Sequence, residues 1–179
     1  MSPLGHALAG VAVAGVVMPM RLSIGKKIAI GCVFAALAYI PDFELPYWGH
    51  GRPDYAISHS IFINGLLILV LCAAALAVPA LRRRVGRAYL LAGGAAAWLS
   101  HLLLDSFYNH GKGVLIGWPV CSYRLNLPMP WFTPLAAGLH DPNLAHELLA
   151  EAILFGVIVL LIFAARTALR KCSPEPTLG

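Results

Sequence analysis

The chain has 179 residues, of which 59% are apolar and only 12% charged, and its mean hydropathy is +0.76. A soluble domain carries about a quarter of its residues as charged groups, so this composition does not fit a water-soluble globule and points to one helical unit in lipid. The net charge of +5 calls for no nucleic acid, because the basic residues sit in short clusters where membrane topology would put them.

Five apolar stretches, 4–20, 24–40, 55–80, 86–107 and 143–169, are long enough to span or nearly span a bilayer, whose core calls for about 20 helical residues. The predicted fold is all-α: a polytopic membrane helix bundle with about five transmembrane helices, one domain over residues 1–172 and a disordered tail at 173–179. The first two spans are short and expected to tilt little. Arg21, Lys26 and Lys27 lie between the first two spans. Arg82, Arg83, Arg84 and Arg87 lie between the third and fourth, and Arg166, Arg170 and Lys171 close the fifth. These ten of the thirteen Lys and Arg alternate onto one side, which the positive-inside rule makes the cytoplasm. The N-terminus is therefore expected outside and the C-terminus cytoplasmic, in a bacterial plasma (inner) membrane. The first segment lacks a positive n-region, so it reads as a retained helix rather than a signal peptide. Cys32, Cys72, Cys121 and Cys172 are scattered and form no CxxC, so neither a disulfide framework nor a thiolate metal site is expected.

All seven histidines and seven of the eight carboxylates fall toward the outer side of this topology. Ionisable groups in a membrane are costly and mark function. Pro41 ends the second span, leaving Asp42 and Glu44 to point back into the bundle mouth. The outer loop adds His50, Arg52 and Asp54, and His59 is expected about one turn inside the third span. His101 and Asp105, four apart, share one helix face where both can bind one metal or two adjacent metals. A rise of about 1.5 Å per residue puts His101 about 9 Å below the helix end near Phe107, level with His6 in the first turn of the first span. A lone histidine or one His-x-x-x-Asp is usually structural. Five such residues arriving from four helix ends at one face point to a divalent metal site, zinc first, with manganese, iron or magnesium as alternatives and one or two ions.

Pro41-Asp42-x-Glu44, Ser58-His59-Ser60, His101-Leu102-Leu103-Leu104-Asp105 and the run 113–119 resemble the YdjM-type membrane-bound metal-dependent hydrolases. The resemblance extends from His6 to about Pro119 and implies a metal centre built from His6, Asp42, Glu44, His59, His101 and Asp105. Glu44 stands where that family has its second Asp. Asp54 aligns with a family histidine while His50 and Arg52 lie displaced nearby, so His50 and Asp54 are both candidate ligands. A more distant similarity is to zinc-dependent phospholipase C and its single-strand nuclease relatives, which makes His110 a candidate ligand. Their closing His-x-x-x-Glu is not reproduced, because Ala150 takes the needed place after His146. His146, Glu147 and Glu151 are then either ligands or residues that support the site and start the last helix. Asp141, before Pro142, reads as part of that helix's cap.

The proline-rich loop 112–141 carries Trp118, Trp131 and Phe132. It reads as an aromatic belt at the headgroups or, alternatively, as a lid that admits a lipid. Arg52 and Arg124 could clamp a phosphate. The expected activity is hydrolysis of a phosphoester or ester in a lipid or envelope substrate at the outer face. Asp42, Glu44, Asp54 and Arg52 are the catalytic candidates, with Glu44 or Asp54 as general base beside a metal-activated water. The expected partner is membrane lipid, not nucleic acid. Three other readings compete: a transporter or proton relay, which needs a polar path to the inner side; a b-type haem protein using His6 and His101; and a metal-stabilised scaffold or subunit without turnover.

Overall fold

A computed structural model describes residues 2–42, 58–85, 88–107, 113–127, 129 and 142–172. The elements are α1 (Pro3–Val17), α2 (Ile24–Leu37), a 3-10 turn (Ile40–Asp42), α3 (Ile61–Ala77), α4 (Pro79–Val85), α5 (Ala88–Phe107) and α6 (Leu144–Cys172). Among the described residues there is no strand beyond one isolated bridge, Val114 to Leu125. The all-helical expectation holds. Two helices, Ala88–Phe107 and Leu144–Arg170, are long and apolar enough to cross a membrane. Pro3–Val17 and Ile61–Ala77 are apolar but shorter; the 15 residues of α1 rise only about 22 Å against a hydrocarbon core of about 30 Å.

Helix starts follow capping chemistry. Ser2 is the N-cap of α1 and accepts the Gly5 N–H, with Pro3 at the first helical position, where its missing N–H costs nothing. Ser60 caps α3 by accepting the N–H groups of Phe62 and Ile63 at 3.2 and 3.3 Å. This corrects the expectation for His59, which lies in the turn before α3 rather than one turn inside the helix. Ser58 and Ser60 are both good caps, and the chain uses the later one. At the other end of α2, the helix stops at Leu37 and Pro41 falls inside the short 3-10 turn.

The bundle is organised around α1, which packs on α2, α5 and α6. Small residues make the close crossings possible, as expected where helices associate in lipid. A Cβ on Gly10 would stand 2.4 Å from the Phe34 carbonyl oxygen, and one on Gly93 would stand 2.7 Å from the Val17 side chain. Ala14, Met18, Phe34 and Ala97 form the buried core between these helices.

The parallel helix α6 brackets α1 at both ends. Glu151 accepts the N–H groups of Ser2 and Gly5 at 2.9 and 3.1 Å and also the Ser2 hydroxyl. At the far end Arg166 donates to the carbonyls of Gly15 and Val16, the latter at 2.8 Å. Glu151 and Arg166 are 15 positions apart on α6, or about 22 Å, the same rise as α1 itself. An acid at the N-terminus and a base at the C-terminus complement the α1 dipole and its unpaired backbone groups. A fully buried carboxylate in an apolar helix is thereby satisfied.

Candidate metal centre

Four side chains converge at the ends of α2, α3 and α5. One ligand atom each from Asp42, His59, His101 and Asp105 lies within 4.8 Å of the others, close enough to hold a metal ion. His101 Nε2 is 3.3 Å from Asp42 Oδ1, 3.2 Å from Asp105 Oδ2 and 3.4 Å from His59 Nε2. His59 Nε2 is 3.1 Å from Asp105 Oδ2 and 3.8 Å from Asp42 Oδ1. A tetrahedral ion with ligand bonds of about 2.1 Å has ligand-to-ligand edges of about 3.4 Å, and these five distances cluster around that value.

The chemistry of the donor set fits a cation as well as the spacing does. His101 Nδ1–H donates to the Ala38 carbonyl at 2.8 Å. A carbonyl can only accept, so this bond fixes the proton on Nδ1 and turns the Nε2 lone pair inward. Ser58 Oγ lies 2.8 Å from His59 Nδ1, and a hydroxyl there can accept that nitrogen's proton and leave Nε2 for the ion. Metal ligation requires both imidazoles to be neutral, and the two carboxylates facing them then carry two negative charges in a buried setting, which is costly unless a cation balances them. A divalent ion brings the sum to zero.

His6 joins through the second oxygen of Asp105. Its Nε2 is 3.1 Å from Asp105 Oδ1, and its ring stacks on His101 with centroids 3.8 Å apart and 15° between planes. His6 is fully buried, and the Asp105 carboxylate is the polar group that faces its Nε2. The stacking corrects the haem alternative: rings in face-to-face contact leave no gap for a macrocycle between His6 and His101. The core beneath the site, Ala14, Met18, Phe34 and Ala97, is apolar, so the described residues give a transporter no polar path inward.

Access is from the Asp42 side. The Asp42 and His59 side chains are 20% and 12% exposed, against 0% for His6 and His101. Burial alone would push the Asp42 carboxyl up, but the hydrogen bond and charge of His101 outweigh it and hold the group below its ordinary range. Asp42 thus stays ionised into mildly acid solution, and proton competition for a metal falls to the imidazoles. Metal affinity is therefore expected to fall as the pH is lowered, by up to ~10-fold per pH unit for each histidine whose proton competes with the ion. A chelator-competition titration measures this, and affinity unchanged between pH 7 and 5 would contradict histidine ligation.

Two supports had no signal in the motif pattern. Asn64, buried one turn into α3, donates through Nδ2 to the carbonyls of Ser58 and Ser60 at 2.8 and 2.7 Å. Its Oδ1 accepts the Trp98 indole N–H at 2.7 Å. Asn64 thus pins the turn that carries His59 to α5, one turn below His101. The only clue in sequence is a lone amide in the run Ile61-Phe62-Ile63-Asn64-Gly65-Leu66, a costly residue for such a helix. Asn64→Leu is expected to lower metal affinity about 10–100-fold with helix content kept, as read by zinc titration and circular dichroism. The second support is the segment after α5. Ile116 O accepts the Ile61 N–H at 3.1 Å, Trp118 O accepts the Ser60 hydroxyl, and Leu127 N–H donates to Ser106 O at 2.7 Å. This strap fixes the start of α3 and the end of α5 together. Gly113 makes its turn with φ +72°, where a Cβ would stand 2.6 Å from Leu125 O.

The remaining candidates separate. Glu44, His50, Arg52, Asp54, His110 and Asp141 lie outside the described residues. His146 is 68% exposed and 3.6 Å from Glu147, away from the cluster. Glu151 is committed to the start of α1, the supporting alternative of the two it was read with. Arg124 donates to Gly113 O at 3.1 Å.

An all-helical chain with two apolar helices of membrane-spanning length and a buried His/Asp cluster able to hold a metal is the class that fold and site define. The chain belongs to the YdjM inner membrane protein family, whose family model matches residues 1–171. No curated protein and no solved structure matches it.

Proposed function

We propose that this inner membrane protein is a metal-dependent hydrolase that cleaves a phosphoester or ester of a lipid or envelope substrate at the outer face of the membrane. The observation that carries the reading is the cluster of Asp42, His59, His101 and Asp105, whose facing atoms lie within 4.8 Å of one another. The donor set of imidazole and carboxylate with near-tetrahedral edges favours zinc. In this reading the helices cross the membrane five times with the N-terminus outside, which puts the cluster at the outer leaflet.

Bound there, the metal supplies Lewis-acid polarisation of the ester oxygen and a water acidic enough for use near neutral pH. The chain does the rest. Asp105 spans the site, one oxygen toward His6 and the other toward His59 and His101. Asp42 faces the opening and orients what enters. Glu44 or Asp54 serves as the general base. Arg52 neutralises substrate charge, and His50 or His110 completes the ligand set.

The test is purified protein in phosphatidylcholine nanodiscs, loaded with zinc and offered a panel of lipid phosphoesters and esters. Release of a water-soluble headgroup by the zinc-loaded protein, abolished by chelator, is the expected result. A protein that holds one zinc per chain and cleaves nothing in the panel would instead be a metal-stabilised scaffold.

A further inference from the structure

Charge in the bundle is segregated by end. Asp42 and Asp105 stand in the cluster with His6, and Glu151 bonds Ser2 with Glu147 one turn before it. These four, all the carboxylates among the described residues, lie toward the start of α1. The opposite end is basic. Arg166 bonds the last carbonyls of α1, Lys26 and Lys27 follow in the first turn of α2, and Arg82 and Arg83 are exposed on α4, directly after α3. No described carboxylate balances them there.

A topology anchor needs charge alone, but here an apolar groove of about 250 Å³ between α2, α3 and α5 leads into the charge. The groove is shut above by Trp98, whose indole N–H bonds Asn64, and its lower walls are Ile30 of α2 and Leu90 of α5. Lys26 and Lys27 precede Ile30 by about one turn and share its helix stripe, at i, i+4 with Ile30 and i, i+7 with Phe34, both groove residues. On the facing wall, α3 passes Cys72 and ends at Ala77, just before the α4 arginines. Lysine stems run along apolar surface and carry their ammonium groups to the headgroup level. The lower mouth of the groove is therefore where a negative charge would be met.

We propose that an anionic phospholipid of the surrounding bilayer is seated here, one acyl chain in the groove and its phosphate held by Lys26, Lys27 and the α4 arginines. A helix is about 10 Å across and far too wide for this volume, which excludes a second copy of the chain as the occupant. The site shares no residue with the metal cluster, so it holds with or without hydrolase activity. In a bilayer the chain leaves hydrocarbon for hydrocarbon, so seating it gains little, and charge decides which lipid is kept. Each basic group near an anionic headgroup is worth about fivefold in affinity, and the two lysines together about 25-fold.

The experiment titrates full-length protein in dodecyl maltoside with palmitoyl-oleoyl phosphatidylglycerol or phosphatidylcholine, read by native mass spectrometry. Alkylation of Cys72, a free thiol in the groove, is followed in parallel with the other cysteines replaced by serine. Phosphatidylglycerol is expected to bind at least tenfold more tightly than phosphatidylcholine and to slow Cys72 alkylation at least fivefold. The double variant Lys26→Gln, Lys27→Gln is expected to bring the preference below threefold. Filling the groove by Ala95→Phe, or independently by Leu71→Trp, is expected to weaken phosphatidylglycerol binding at least tenfold with both lysines in place. The thermal midpoint reports that the variants are folded. Equal binding of the two lipids, or a preference that survives the lysine variant, overturns the assignment. So does a preference that needs the lysines but ignores both groove variants, since that is charge without a seat. A dimer dispersed by the groove variants overturns it too, because a second copy would then occupy the groove.

Discussion

Asp105→Asn is expected to abolish metal binding at micromolar concentrations while leaving the helical fold in place. Asp105 is the hub of the cluster: Oδ1 stands 3.1 Å from His6, and Oδ2 stands 3.1 Å from His59 and 3.2 Å from His101. The asparagine keeps the volume and one acceptor oxygen, so packing against α1 is preserved and the charge alone is removed. Structural zinc sites with four ligands have apparent binding energies of about 10–16 kcal/mol. One ligand is then worth roughly 3 kcal/mol, on the order of 10²-fold in affinity, and removing half the negative charge that balances the ion adds to this. Elemental analysis of detergent-purified protein, with circular dichroism on the same sample, reads both quantities. An asparagine variant that retains zinc at the wild-type ratio would remove Asp105 from the site. Loss of helix content along with the metal would make the ion a structural element rather than a reagent.

The parts of this centre that were legible in sequence are those fixed by local geometry. His101 and Asp105 are four apart on one helix, and no tertiary arrangement could separate them. Pro41 followed by Asp42 announced a carboxylate just past a helix end, and the 3-10 turn delivers it to His101 at 3.3 Å. His59 shows where local rules become ambiguous. Ser58, His59 and Ser60 present two possible caps in three residues, and the choice depends on the strap at Ile116 and Trp118, whose carbonyls receive Ile61 and Ser60. That contact spans more than fifty residues of chain and has no short-range signature. The bond between Ser2 and Glu151 crosses 149 positions, and so the choice between ligand and support for Glu151 could not be made from spacing. The all-helical character was readable from hydropathy, and two of the described helices are of membrane-spanning length. The short spans were not readable as shorter still, because the ends of α2 and α3 are set by capping and by a proline turn rather than by loss of apolar character.

Buried polar groups in this bundle divide by what they face, and the division explains why the site is rigid. Glu151 and Arg166 face backbone groups at the two ends of α1 and set its height. Asn64 faces two backbone carbonyls and the Trp98 indole, and sets the turn before α3. Asn64 fixes the turn that carries His59, and the bonds of Glu151 and Arg166 set the position of the helix that carries His6. Positioning to within a fraction of an ångström, which metal chemistry requires, comes from these bonds rather than from the ligands themselves.

Gly10→Val is expected to be the most destabilising single change away from the cluster, and to weaken metal binding at a distance. A Cβ at this position would lie 2.4 Å from Phe34 O, 2.7 Å from Phe34 C and 2.8 Å from Ala35 Cα. All three are backbone atoms of α2, so no rotamer change can relieve the contact and the helices must move apart. Overpacking of this kind costs about 1–3 kcal/mol, and with backbone as the obstacle the upper end applies. The displacement does not stay local. Phe34 O accepts the Ala38 N–H at 3.0 Å, and Ala38 O in turn accepts His101 Nδ1–H at 2.8 Å. Pushing Phe34 away from α1 therefore draws Ala38 from His101 and carries Asp42, four residues further on, out of the cluster. The expected result is a lower thermal midpoint together with a loss of zinc affinity of at least tenfold, the magnitude found when a ligand's supporting hydrogen bond is broken. Gly25, beside which an added Cβ meets nothing within 4 Å, supplies the control: Gly25→Val should leave zinc affinity unchanged. Equal losses in both variants would show that helix propensity, not the α1–α2 crossing, controls the site.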